Sequence, residues 1–198
     1  MKRLPITLIL LAIAARTAGA QRLPDLPISV EVRVGAGIPM GEFAEDEPGV
    51  GAEAGPAFSA GALFHLSDAL SVYGAYSRTH FVCGACDAAG LDEQLVDAGA
   101  EFGVQAMPVR LAGVSPWLGA GGVYRQLTFY GEGERLASDP GFGFEAGGGL
   151  SVAVTRSIAI APGVRFRTYA ARLDLGELPS RTVDVSQVLA DVGIAFRF

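Results

Sequence analysis

Eight times between Ile28 and Phe198 the chain alternates apolar residues with small or polar ones, at a period of two. A β-strand imposes that period, because successive side chains leave a pleated strand on opposite faces. The first segment is the plainest: Ile28, Val30, Val32 and Val34 alternate with Ser29, Glu31 and Arg33. Segments 58–66, 70–77, 96–105, 116–126, 142–150, 158–167 and 188–198 follow. In the fifth, the glycines of W-L-G-A-G-G-V-Y blur the phase and leave open which residues face which way. No amphipathic helix interrupts the series, so the chain is expected to be all-β.

The connections suggest how the strands are arranged. Pro39–Gly55, Thr79–Gln94, Phe129–Pro140 and Arg172–Val185 are long, Ser67–Ala69 and Thr155–Ser157 are tight, and Ala106–Ser115 is intermediate. Long and short connections alternate in up-and-down barrels with long loops at one end and short turns at the other. Each segment is read as about 9–11 residues, the length a tilted strand needs to cross hydrocarbon. A spanning sheet must also close on itself, since bilayer hydrocarbon satisfies no backbone hydrogen bond. The expected fold is an eight-stranded antiparallel up-and-down transmembrane β-barrel.

Composition sets which way the faces point. Half of the residues are hydrophobic, 18% are charged, and the mean hydropathy is +0.36. Soluble domains carry roughly a quarter charged residues. The polar faces of the segments are mostly Gly, Ser and Ala, too poor in charge to meet water, so the apolar faces are expected to point outward. The charges they hold nearly balance: Glu31, Asp97, Glu101, Glu145 and Asp191 against Arg33, Arg165, Arg167 and Arg197, with Arg125 in the segment of open phase. Eight strands enclose room for side chains and little else. Buried charges must be paired, so these residues are expected to form an ion-pair core, with glycines making space for the arginines. Two other readings stay open: a narrow small-solute channel, and a secreted soluble lipocalin-like barrel with the faces reversed. Aromatics near strand ends (Tyr76, Phe81, Trp117, Tyr124, Phe129, Tyr130, Tyr169 and Phe198) are expected to form an interfacial girdle.

Residues 1–20 read as an export signal. Lys2 and Arg3 precede an apolar run from Ile6 to Ala15, and Ala18-Gly19-Ala20 fits the small-residue cleavage rule. The run is too short to span a bilayer comfortably. Its removal would make Gln21 the first residue of the barrel domain, 21–198, and would take three of the 15 basic residues and none of the 21 acidic ones. Such an acidic balance argues against nucleic acid.

Cys83 and Cys86 lie in a long connection expected outside the cell, where two cysteines three apart close a small disulfide. Together with His80 and Asp87 they also offer a metal-ligand spacing, but the usual second ligand pair is missing. Ser77 and His80 are three apart on a strand, on opposite faces, and no G-x-S-x-G or H-E-x-x-H occurs. No catalytic residue, cofactor or metal is therefore expected. His65 is expected to line the barrel near its short-turn end. Glu42, Glu45, Asp46, Glu47 and Glu53 make the first long connection acidic; it is read as a solvated loop, with divalent-cation bridging as the alternative.

Four features together resemble the eight-stranded outer-membrane β-barrel family of Gram-negative envelopes, the OmpA/OmpX-like group. They are the leader ending in A-G-A, G-A-G-I-P-M-G-E-F at 35–43, P-W-L-G-A-G-G-V-Y at 116–124, and the terminal V-G-I-A-F-R-F. The resemblance implies a small integral outer-membrane protein with a structural or surface-interaction role. It implies contact with outer-membrane lipids and lipopolysaccharide, and a monomer. It also implies recognition by the barrel-assembly machinery through Val192, Ile194, Phe196 and Phe198.

Overall fold

The computed structural model describes residues 27–45, 51–83, 94–109, 111–131, 134–173 and 180–198. The predicted leader lies outside them. The strands are β1 (Ile28–Met40), β2 (Ala52–Glu53), β3 (Gly55–His65), β4 (Leu70–Cys83), β5 (Gln94–Ala106), β6 (Val114–Gly131), β7 (Glu134–Ala137), β8 (Gly141–Ala153), β9 (Ile158–Leu173) and β10 (Arg181–Arg197). Eight of them form a ring in the order β1-β3-β4-β5-β6-β8-β9-β10, every pair antiparallel, and β10 closes on β1 from Ser29↔Arg197 to Met40↔Ser186. The short strands β2 and β7 add onto β4 and β6. Closure leaves the ring without an unpaired edge, the condition for a sheet in hydrocarbon.

Along each strand the outward residues are the apolar set. Phe142 is 74% exposed and Leu118 63%, with Val32, Val34, Phe58, Phe102, Phe144, Val164, Val192 and Ile194 also exposed around the ring. The soluble lipocalin-like alternative required these side chains to be enclosed, and it is overturned. The phase of 116–126 is now fixed: Trp117, Val123 and Arg125 point inward and are buried, while Leu118 and Tyr124 point outward.

The ring strands run 11 to 18 residues, all but β3 longer than the 9–11 expected, and they take up part of each long connection. The cause is an inversion of polarity along the strands. On β9 the outward Ile160, Val164 and Phe166 give way to Thr168, Ala170 and Arg172, while the inward Arg165 and Arg167 give way to Tyr169, Ala171 and Leu173. β10 repeats this, with outward Val192 and Val188 followed by Ser186 and Asp184, and inward Asp191 and Gln187 followed by Val185 and Val183. The Thr168 and Ser186 hydroxyls, 2.8 Å apart, mark the first outward polar rung. Above that rung β9 and β10 present a polar outer face over a dry centre, the arrangement of a soluble barrel.

The dry centre is a small apolar core. Phe81, Leu95, Leu127, Tyr169, Leu173, Val183 and Val185 converge there, and Phe43 caps them from a single 3-10 turn (Gly41–Phe43), meeting Phe81 edge-to-face at 5.1 Å. The girdle expectation is corrected accordingly. Phe81, Trp117 and Tyr169 are buried inside the barrel, and Phe129 packs against the inner core. Tyr76, Tyr124, Tyr130 and Phe198 are exposed. Strand ends do not decide the matter; parity does, since Tyr169 is in phase with Arg165 and Arg167, and Phe81 with Ser77.

The opposite end is closed by short turns. The Ser67 hydroxyl accepts from the Ala69 and Leu70 amides, and the Thr155 hydroxyl from those of Ser157 and Ile158. The connection before β6 is tight as well: Leu111 pairs with Val114 through Ala112 and Gly113, both at positive φ.

Candidate functional site: the charged barrel interior

Midway along the barrel, inward positions of six strands bring four arginines against five carboxylates. Arg33 on β1 reaches Asp191 on β10 at 2.5 Å and Glu31 at 3.0 Å. Arg165 on β9 holds Asp191 at 2.6 Å and Glu101 on β5 at 2.9 Å. Arg167 is paired with Glu145 on β8 at 2.6 Å and also with Glu101. Arg125 on β6 binds Asp97 on β5 at 2.8 Å and donates to the Ser77 hydroxyl at 2.6 Å. Arg125, Arg167, Asp97 and Glu101 are each at most 2% exposed.

The carboxylate in excess is accommodated by neutral donors. The Tyr169 hydroxyl and the Gln187 side-chain amide donate to Asp97 at 2.8 and 2.5 Å, and the Tyr73 hydroxyl donates to Glu145 at 3.3 Å. Buried charges persist only when paired and hydrogen-bonded, and each acid here has at least one guanidinium partner. Space for the long side chains comes from glycine. A Cβ on Gly147 would lie 2.5 Å from Arg165 Cγ, and one on Gly193 would lie 3.0 Å from Arg33 Cγ.

Of the residues expected in this core, Glu31, Arg33, Asp97, Glu101, Glu145, Arg165, Arg167 and Asp191 come together. Arg197 does not. It sits exposed at the short-turn mouth, without an ion pair among the described residues, and Glu31, which lines the same cavity, is already held by Arg33. Tyr73, Ser77, Tyr169 and Gln187 were not anticipated in the network, although each shares the inward parity of a charged residue on its own or the neighbouring strand.

Trp117 forms the floor of the network. Its ring lies 5.0 Å from the Arg33 guanidinium carbon, and its buried N–H has no hydrogen-bond partner among the described residues. Gly163 seats it, for a Cβ there would meet Cζ2 at 2.4 Å. Gly163→Val is expected to displace the indole and to cost about 1–3 kcal/mol by overpacking. As Trp117 is the only tryptophan, its emission maximum reports the displacement directly.

Ser77 points inward and is buried, while His80 on the opposite face is partly exposed, so the two do not meet. His65 lies between the hydroxyls of Ser29 (2.7 Å) and Ser71 (2.8 Å) at the short-turn end. Glu42, Glu45 and Glu53 are exposed; Asp46 and Glu47 are outside the described residues, as are Cys86, Asp87 and the side chain of Cys83, so the disulfide and metal readings fall there. Among the described residues no three metal-ligating side chains cluster. Val192, Ile194, Phe196 and Phe198 are all exposed.

No protein-family model and no curated protein sequence matches the chain. Solved structures do. Neisserial surface protein A aligns at 16% identity and TM-score 0.65, covering 89% of this chain and all of that one. AlkL, an outer membrane protein determined in lipid bilayers, aligns at 13% identity and TM-score 0.58, covering 91% of this chain and 94% of that one. OprG from Pseudomonas aeruginosa aligns at 11% identity and TM-score 0.54, covering 88% and 98%. With its sheet closed, its apolar face outward and its charges paired within, the chain has the fold of the small eight-stranded outer-membrane β-barrels.

Proposed function

We propose that the protein is an integral barrel of the Gram-negative outer membrane, with a structural and surface-interaction role rather than an enzymatic one. One observation carries the reading: the outward face is apolar while four arginines and five carboxylates neutralise one another inside. Water-facing surfaces have the reverse arrangement. In this reading residues 1–20 are a cleaved export signal, the terminal Val192, Ile194, Phe196 and Phe198 are read by the assembly machinery, and the monomer sits among phospholipid and lipopolysaccharide. The surface role is supported by the fold shared with a Neisserial surface protein and with Ail, the attachment invasion locus protein of Yersinia pestis (TM-score 0.51, 13% identity).

A channel is disfavoured by how the interior is filled. The cavity within the network has a volume of about 40 Å³, room for a few waters, and the apolar core lies above it. Membrane fractionation is expected to recover the protein with the outer membrane, and unboiled samples to migrate apart from boiled ones. Planar-bilayer recordings are expected to show no steps. Release into the soluble fraction would end the membrane reading, and regular conductance steps would replace the sealed barrel with a channel.

A further inference from the structure

Below Trp117 the interior opens into a second cavity, of about 270 Å³, at the short-turn end. Its walls differ from the network above. There every arginine is engaged; here Arg156 and Arg197 line the cavity, are exposed, and have no ion pair among the described residues. Their backbones run close together, since the Arg197 amide donates to the Ser157 carbonyl at 2.9 Å, one residue beyond Arg156. Facing the same space are Ser115 and Ser151, directly opposite each other on β6 and β8, together with Ser157. None of these three hydroxyls is hydrogen-bonded to another side chain among the described residues, whereas Ser29 and Ser71 on the same end are tied to His65. Glu31, the one carboxylate on the wall, is already bound by Arg33.

Two free guanidinium groups and three free hydroxyls around a cavity with one neutralised acid are donors without an acceptor. From this we infer that the vestibule is a binding site for the oxyanion of a small solute, a phosphate monoester or a carboxylate. Arg156 and Arg197 supply charge-assisted hydrogen bonds, and Ser115, Ser151 and Ser157 complete the shell. The space admits a ligand of a few heavy atoms beyond the oxyanion and ends at the indole. Trp117 lines the inner end of the site and therefore reports on it. The inference does not depend on any role for the loops at the far end of the barrel.

The test uses the full barrel refolded in maltoside micelles, which bring no phosphate of their own. Inorganic phosphate, glucose 6-phosphate and acetate are titrated against Trp117 emission and the backbone amide resonances of Ser151, Ser157 and Arg197, with glucose as the neutral control. Saturable shifts at about millimolar concentration are expected, absent for glucose, and weakened about tenfold by Arg156→Gln with Arg197→Gln. Both arginines are exposed, and the gel migration of the unboiled double variant checks that it folds. Repeating the titration in bilayer discs containing phosphatidylglycerol identifies the source. If lipid headgroups fill the site, the resonances begin shifted and added phosphate moves them little; if a free solute fills it, the two titrations agree. Shifts that do not saturate, that glucose reproduces, or that survive in the double variant would overturn the site.

Discussion

Arg167→Met is expected to destabilise the barrel by about 3–5 kcal/mol, the cost of leaving buried charges without their partner. The guanidinium is wholly buried and bridges Glu101 and Glu145, and it also donates to the Ser77 hydroxyl. After its removal, Arg165 still serves Glu101 at 2.9 Å, but Glu145 keeps only a 3.5 Å approach to Arg165 and the Tyr73 hydroxyl. The loss is therefore expected to fall chiefly on Glu145, so adding Glu145→Gln to Arg167→Met should recover a large part of it. Urea titration of the folded fraction in lipid vesicles, followed by the gel shift, measures both. A double variant no more stable than the single one would mean that the two residues do not act as a pair. A single variant as stable as the parent would mean that the network contributes nothing to the fold.

Why some of this was legible in the sequence and some was not follows from the period-two rule. Parity alone assigned Glu31, Arg33, Asp97, Glu101, Glu145, Arg165, Arg167 and Asp191 to one interior, because alternation is a local property that survives without knowledge of register. Parity says nothing about height along the barrel axis, and height is what separates Arg197 from the network. Arg197 has the inward phase of Asp191 but lies six residues nearer the short turns, out of reach of an acid that is still free. The strand limits failed for a related reason. Apolar residues stop facing outward at Phe166 and Val188, yet the backbone ladder continues from Thr168↔Ser186 to Leu173↔Arg181 with the polarity exchanged. Phase rather than position in the strand separates the aromatics, which is why Tyr169 and Phe81 lie inside the barrel and not in a girdle. The glycine-rich stretch 116–126 gave no phase because glycine has no side chain to show one. Only the pairing of Trp117 with Gly149 and of Arg125 with Gly99 fixes it.

The same inversion predicts a sharp boundary on the outer wall, testable with two substitutions on one face of one strand. Val164 and Ala170 both point outward from β9 and are both exposed. Val164 lies in the apolar band, whereas Ala170 stands beyond Thr168, beside the outward Asp184 on β10. Val164→Arg is expected to cost about 2–4 kcal/mol, the penalty for a guanidinium near the middle of the hydrocarbon. Ala170→Arg is expected to fall within about 0.5 kcal/mol of the parent, as surface substitutions away from special features do. Refolding yield and urea midpoint in vesicles report both values. The two residues are separated by six positions, so a membrane boundary between them accounts for the difference, while a uniformly wet outer wall would leave both substitutions neutral. Equal, large penalties would instead place the upper extension in lipid, and the polar residues Thr168, Arg172, Ser186 and Asp184 would then lack the water their side chains require.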